Sequence, residues 1–158
     1  MKINIKTCFK NDKMVIPNYA HKGDAGIDLQ ANIEGDIILS FGERKLIPTG
    51  IKASLPTDTK NDGGFSEDYV WELQARPRSG LAHKFGLTIV NSPGTIDSHY
   101  RGEIFINLQN TGKDKVVIKP GDKICQIVLS KKYIMEFEEV DDLEKTERGE
   151  DGHGSTGV

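Results

Sequence analysis

The stretch 103-EIFINLQNTGKDKVVIKPGDKICQIVL-129 decides the fold class. Residues 103–109 alternate, placing Ile104, Ile106 and Leu108 on one face and Phe105 on the other. VVI at 116–118 is a short β-branched run, and KICQIVL at 123–129 is another apolar one. Asn110-Thr111-Gly112 and Pro120-Gly121-Asp122 punctuate the runs with residues that favour tight turns. Short strands at regular spacing predict a sandwich or barrel rather than βαβ units.

The same pattern extends in both directions. Further strands are predicted at 2–7, 36–40, 69–75, 87–91 and 133–140, with turns at Glu34-Gly35-Asp36, Phe41-Gly42 and Pro48-Thr49-Gly50. One helix candidate stands apart, SGLAHKFG at 79–86, with Ser79 as its cap and Gly86 as its stop. Tyr69 and Trp71 fall at strand spacing and are expected in the core, as are Tyr133, Met135 and Phe137 further on. Cys125, inside an apolar strand, reads as a small buried hydrophobe.

The length of 158 residues fits one domain. Residues 1–142 are read as a single β domain and 143–158 as a flexible acidic, glycine-rich tail. Two cysteines exclude a disulfide framework and a four-cysteine zinc site. His21, His83, His99 and His153 make no local zinc pattern. No apolar run approaches the ~18 residues of a membrane helix, and the start has no signal-peptide core, so a cytoplasmic or otherwise intracellular protein is expected. A net charge of −3 argues against general nucleic-acid binding. Charge is uneven, however: residues 136–151 carry net −7, leaving +4 elsewhere. The acidic run is either a solvated end or a segment that docks on a basic surface.

Three segments carry residues suited to chemistry. Arg76-Pro77-Arg78-Ser79-Gly80 could bring a guanidinium and helix-end N–H groups to one phosphate, or be a solvated basic turn. Gly94 to Gly102 packs Asp97, His99, Tyr100 and Arg101 between two strand candidates, with Asp97 and His99 on the same side if the backbone is extended. The run Gly149–Thr156 lacks the lysine and following helix of a P-loop, leaving Arg148, Ser155 and Thr156 as anion contacts on a strap or as part of a disordered tail. Asp24 and Asp28 could each face a hard cation or simply accept turn hydrogen bonds.

Together, AGIDLQA (25–31), PRSG (77–80), NSPGTIDSHYRGE (91–103), GDKICQIVL (121–129) and RGEDGHGSTG (148–157) resemble the five motifs of the trimeric deoxyuridine triphosphatase (dUTPase) family, in order. The resemblance implies an all-β, distorted jelly-roll or barrel-like subunit with a short helix near 79–86. It implies a homotrimer with shared active sites and hydrolysis of dUTP to dUMP and pyrophosphate by Mg2+-assisted water attack on the α-phosphorus. Asp97 would be the catalytic carboxylate. Asn91, Gly94, Thr95 and Ile96 would read uracil, with Tyr100 beneath the deoxyribose and His153 stacking on the base. Arg78, Ser79, Gly80, Gln126, Arg148, Ser155 and Thr156 would contact phosphates, and Asp28 would reach the metal through water. No nucleic-acid or membrane partner is expected.

The chain departs from the family pattern at three places. His153 stands where an aromatic Phe is usual, Asp151 where Gly is usual, and Asp97-Ser98-His99-Tyr100 where D-x-D-Y is usual. The excursion at 57–68 is also long, which makes it a candidate protein-binding surface. Two alternatives follow from the same resemblance. One is a deoxycytidine triphosphate deaminase of the same fold, which would need a glutamate in the pocket; none stands between Asn91 and Tyr100. The other is a relative with an added protein-binding role.

Overall fold

The computed structural model describes residues 2–56, 69–150 and 152. In chain order the strands are β1 (Asn4–Thr7), β2 (Ile27–Gln30), β3 (Ile37–Leu39), β4 (Arg44–Ser54) and β5 (Tyr69–Arg76). Helix α1 (Ser79–Phe85) follows, then β6 (Leu87–Ile89), β7 (Gly94–Ile96), β8 (Glu103–Asn110), β9 (Val116–Ile118) and β10 (Lys123–Tyr133). Every pairing is antiparallel. One sheet runs β1-β4-β8-β6, a second runs β2-β10-β5-β7, and β3 pairs with β9.

The core lies between the two larger sheets. Ile47, Ile51, Ile104, Ile106, Leu108, Leu87 and Ile89 come from the first sheet; Leu29, Leu73, Ala75, Ile124 and Cys125 come from the second. Leu39 and Ile118 enter from the small pair. Burial of such branched side chains at about 1.5–3 kcal/mol each drives the assembly. The alternation read at 103–109 is met: Ile104, Ile106 and Leu108 are buried and Phe105 faces out. This is the all-β jelly-roll architecture that the sequence led us to expect.

Several local expectations are corrected. Pro48-Thr49-Gly50 is not a turn between strands but an irregularity inside β4, where the register with β8 shifts between Pro48 and Lys52. Gly50 has φ +70°, and Thr49 donates through Oγ1 to the Ile104 carbonyl at 2.7 Å. A Cβ on Gly50 would crowd Phe9 at 2.8 Å and the Asn32 side chain at 2.9 Å, so turn-forming residues mark a crowded bulge. β2 and β7 were missed because IDLQ and GTI lack the apolar run that marked the equally short β3, β6 and β9.

The strand predicted at 133–140 ends at Tyr133. Tyr133, Met135 and Phe137 are exposed rather than core, because Tyr133, paired with Tyr69, is the last residue of β10 and among the described residues no strand pairs with the chain beyond it. Strand 87–91 stops at Ile89, where residues 90 and 91 turn toward β7. Tyr69 and Trp71 are half-buried, meeting edge to face at 5.9 Å, and Trp71 packs on the core margin.

Helix α1 forms where predicted, but its start differs. Arg78 occupies the N-cap position without a side-chain cap hydrogen bond, and Ser79 is the first helical residue. Arg78 has extended backbone, φ −86° and ψ 124°, and its carbonyl accepts the Leu81 and Ala82 N–H groups that open the helix. Gly86 closes the helix in the left-handed conformation, φ +67°. A Cβ there would overlap the Gly112 backbone.

Candidate functional site

Strands β2 and β10 and the entry to α1 converge on one carboxylate. Asp28 on β2 accepts from Arg78 Nε at 3.0 Å through Oδ1 and meets Lys123 Nζ at 3.2 Å through Oδ2. Arg78 also donates from Nη1 to the Lys123 carbonyl at 3.2 Å. The three groups are partly exposed, so the pairing organises the side chains more than it stabilises the fold. Two cations on one anion leave a net positive field facing the cleft.

Gln126 completes this cluster. It lies on β10 in register between Asp28 on one side and Arg76 on the other, and its Nε2 donates to the Pro77 carbonyl at 3.1 Å. That bond ties the segment before α1 to the sheet. Gly26 lies so close that a Cβ there would overlap the Gln126 amide, so the glycine is required by close approach. Asp28, Arg78, Ser79, Gly80 and Gln126, all predicted phosphate or metal-shell residues, share one open cleft of about 430 Å³ with Lys84.

Lys123 was missed as a site residue because strand alternation misleads here. Positions 123 and 126 differ by an odd number and would face opposite sides of a regular strand. The β10 register with β2 shifts between Lys123 and Cys125, forming a bulge. Ile124 and Cys125 are consequently both buried, and Lys123 and Gln126 both face out. Desolvation in this core pushes the Cys125 thiol from 9.0 up to about 12, outweighing the hydrogen bond from the Leu29 backbone that lowers it.

The second candidate set stands elsewhere on the chain. β7 pairs with β5, Gly94 opposite Ala75 and Ile96 opposite Leu73, while β6 joins the other sheet. Residues 90–93 connect them through a cis Ser92-Pro93 bond. Gly94 is buried against Ala75, and a Cβ on it would stand 3.4 Å from Asn91 Nδ2. Thr95 and Asp97 are exposed and Ile96 half-buried, so the outer rim of this loop is free to meet a ligand.

After β7 the chain does not stay extended. The Tyr100 N–H donates to the Asp97 carbonyl at 3.1 Å, closing a tight turn, so Asp97 and His99 do not share a strand face as expected. Arg101 Nη1 holds the Ser98 and Tyr100 carbonyls at 2.6 and 3.0 Å. Tyr100 donates its hydroxyl to the Glu103 carbonyl at 2.9 Å and lies across Gly102, where any Cβ would overlap the ring. The Asp97 turn is thus fixed from below by a guanidinium and from the side by a phenol.

These two sets do not meet within one chain. Ile96 is three register rows from Arg76, and β7 lies two strands from β10. Strand rise and spacing place Ile96 about 14 Å from Gln126, with Asp97 one residue farther. None of Asn91 to Tyr100 lines the cleft at Arg78.

Asp24 has the simple turn role, accepting the His21 N–H at 2.8 Å. Among the described residues no three His, Cys, Asp or Glu side chains form a metal-binding group. Arg148 is in a turn in which the Gly149 N–H donates to Thr146. His153, Ser155, Thr156, Asp151 and the excursion at 57–68 lie outside the described residues. Among the described residues no helix is long and apolar enough to cross a membrane.

The comparisons with known proteins agree with one another. Residues 73–157 match the family model described as dUTPase. A protein named deoxyuridine 5'-triphosphate nucleotidohydrolase from Clostridium novyi is 50% identical over 148 residues, 94% of each chain. One of the same name from Clostridioides difficile is 47% identical over 154 residues, 98% of each chain. Among solved structures, a Staphylococcus bacteriophage 80alpha dUTPase with dUPNHPP superposes with TM-score 0.80 at 24% identity, covering 99% of each chain, a likeness of fold. With a matched model over more than half its length and relatives near one-half identity across nearly all of it, this chain belongs to the dUTPase family.

Proposed function

We propose that this chain hydrolyses dUTP to dUMP and pyrophosphate, as its relatives' names state of them, with the Asp28–Arg78–Lys123–Gln126 cleft holding the phosphates. The observation that carries this reading is the Asp28 cluster: Arg78 and Lys123 paired with one carboxylate, beside the Gln126 amide, with Gly80 leaving room for an anion in the adjoining cleft. Arg78 offers planar donors to phosphate oxygens, and Lys123 adds charge from the opposite edge. Charge neutralisation is what a polyphosphate leaving group requires.

Asp97 is the group assigned to orient and deprotonate the attacking water. Its carboxylate is exposed at the mouth of a turn that Arg101 and Tyr100 hold. The backbone of Asn91–Ile96 supplies fixed donors and acceptors for a pyrimidine edge; a cytosine amino group would set donor against donor there. Sites built on such bonds discriminate by orders of magnitude. Tyr100 is assigned to the face of the deoxyribose, excluding a 2′-hydroxyl. His153, Arg148, Ser155 and Thr156 are assigned to a segment closing over the nucleotide.

Because Asp97 and the phosphate cleft are separated on one chain, we assign the complete site to a homotrimer, in which a neighbour's Asp97 turn faces this chain's cleft. The donor set also fits magnesium bound by phosphate oxygens and water rather than by a protein cage, since among the described residues Asp28 is the one carboxylate lining the cleft and both its oxygens are already engaged. Magnesium, when bound, would neutralise phosphate charge. The deciding experiment is pyrophosphate release from dUTP, dTTP, dCTP and UTP with magnesium present. Turnover confined to dUTP is expected; ammonia release from dCTP would establish the deaminase alternative instead.

A further inference from the structure

One cation in the phosphate cleft has no assigned role. Lys84 lines the cleft with Arg78, Ser79, Gly80, Asp28 and Gln126. Arg78 and Lys123 each form an ion pair with Asp28, whereas the Lys84 ammonium has no ion-pair or hydrogen-bond partner among the described residues. Among the described residues it is therefore a cation committed to no carboxylate.

Helix geometry directs that charge. Lys84 is four residues after Gly80 on α1, so the two stand one above the other on the same face, about 6 Å apart along the axis. Helical side chains lean toward the N-terminus, so the Lys84 stem lies over the Gly80 turn. Gly80 puts no obstacle in the way, since a Cβ built there meets nothing within 4 Å. The groove from Ser79 to Lys84 is open, with a guanidinium at one end and an ammonium at the other.

We propose that Lys84 reads the length of the phosphate chain, contacting the terminal phosphate of the nucleotide while Arg78 and Gln126 hold the inner ones. This deepens the reading of the cleft as a triphosphate site and rests on it. A flexible four-carbon stem ending in a point charge suits a group at the mobile end of a chain, where bidentate geometry is not imposed. A diphosphate anchored at Arg78 would end short of Lys84; a triphosphate would reach it. Lys84 would thus favour substrate over shorter nucleotides and help retain it until turnover.

The test compares wild type, Lys84→Met and Lys84→Arg by titration calorimetry with magnesium. The ligands are the non-hydrolysable α,β-imido analogue of dUTP, then dUDP, dUMP and inorganic tripolyphosphate. Lys84→Met should weaken the triphosphate analogue about tenfold, the loss of one charged contact, leave dUMP unchanged and shift dUDP by less than about threefold. Lys84→Arg should keep most of the affinity. Equal losses for dUTP analogue, dUDP and dUMP, or no loss at all, would overturn the proposal. Tripolyphosphate separates this idea from the nucleotide assignment. If wild type bound it more tightly than Lys84→Met does while dUTP was not turned over, Lys84 would stand and the substrate reading would fall. If wild type hydrolysed dUTP and Lys84→Met bound both polyphosphates normally, the reverse would hold. Thermal melts of the two variants, expected to match wild type because Lys84 is exposed, exclude misfolding as the cause.

Discussion

Mixing two inactive variants should restore a defined fraction of activity. Asp97→Asn removes the proposed base and is expected to lower kcat by about 10²–10⁴-fold, and Arg78→Gln removes the guanidinium proposed to hold phosphate. In one chain these residues belong to regions about 14 Å apart by strand register, across two strands and three rows of the β2-β10-β5-β7 sheet. A nucleotide α-phosphorus cannot be within reach of both on the same subunit if the site forms in trans. In a random one-to-one hybrid trimer, a site is intact when its Arg78 donor is an Asp97→Asn chain and its Asp97 donor an Arg78→Gln chain. Each condition has a chance of one-half, so about one-quarter of sites recover. The assay is pyrophosphate release after co-refolding or co-expression, with hybrid formation checked by native mass spectrometry. Specific activity near a quarter of wild type is expected, far above either parent. Hybrids that form yet stay at parental activity would refute the shared site.

Gly26→Ala should fold normally but displace the Gln126 amide from the Pro77 carbonyl, raising KM for dUTP about tenfold in steady-state kinetics with a smaller effect on kcat. Asn110→Ala should cost about 3 kcal/mol in urea unfolding, because the buried amide donates to the Leu39 and Asp114 carbonyls and accepts from the Gly112 N–H. Burial raises the Cys125 thiol from 9.0 to about 12, so the folded state holds its proton more tightly than the unfolded one. Its contribution is fully present below pH 9 and is lost as pH rises toward 12, at up to about 1.4 kcal/mol per pH unit in denaturant melts. In the native protein a thiol reagent should label exposed Cys8 and spare Cys125, with both labelled after unfolding.

The fold was legible where periodicity was long and unbroken. β8 and β5 could be read residue by residue because eight-residue alternation leaves no second solution. β4, although longer, was hidden by Pro48-Thr49-Gly50, since local turn chemistry cannot reveal that Cys8, Glu103 and Ile104 supply the hydrogen bonds that carry a strand through it. The segment after Tyr133 alternates as a strand should, yet stands exposed; alternation signals a face to be covered, not the chain that covers it. Among site residues, Asp28, Arg78 and Gln126 were found by their motifs and meet in space. Lys84 was not found, because helical direction rather than sequence company brings it to the cleft. Asp97 and His99 turned out of register because the turn after Ile96 depends on Arg101 reaching back to two carbonyls.

The bulge in β10 decides how many core residues fit between two outward polar ones. Two buried neighbours, Ile124 and Cys125, set the phase that turns both Lys123 and Gln126 outward. Another small apolar side chain could replace Cys125 with modest loss. Deleting either neighbour would leave Lys123 and Gln126 two positions apart, where regular alternation keeps both on the outer face; what is lost is one buried apolar side chain and the bulge itself. The preceding Pro120–Asp122 turn has little latitude. Gly121 donates to the Ala31 carbonyl, Ala31 donates to the Asp122 carbonyl and Gln30 Nε2 donates to the Gly121 carbonyl, so an insertion there breaks that clamp. The bulge is therefore a way of seating two core residues where a regular strand seats one, without turning either polar neighbour inward.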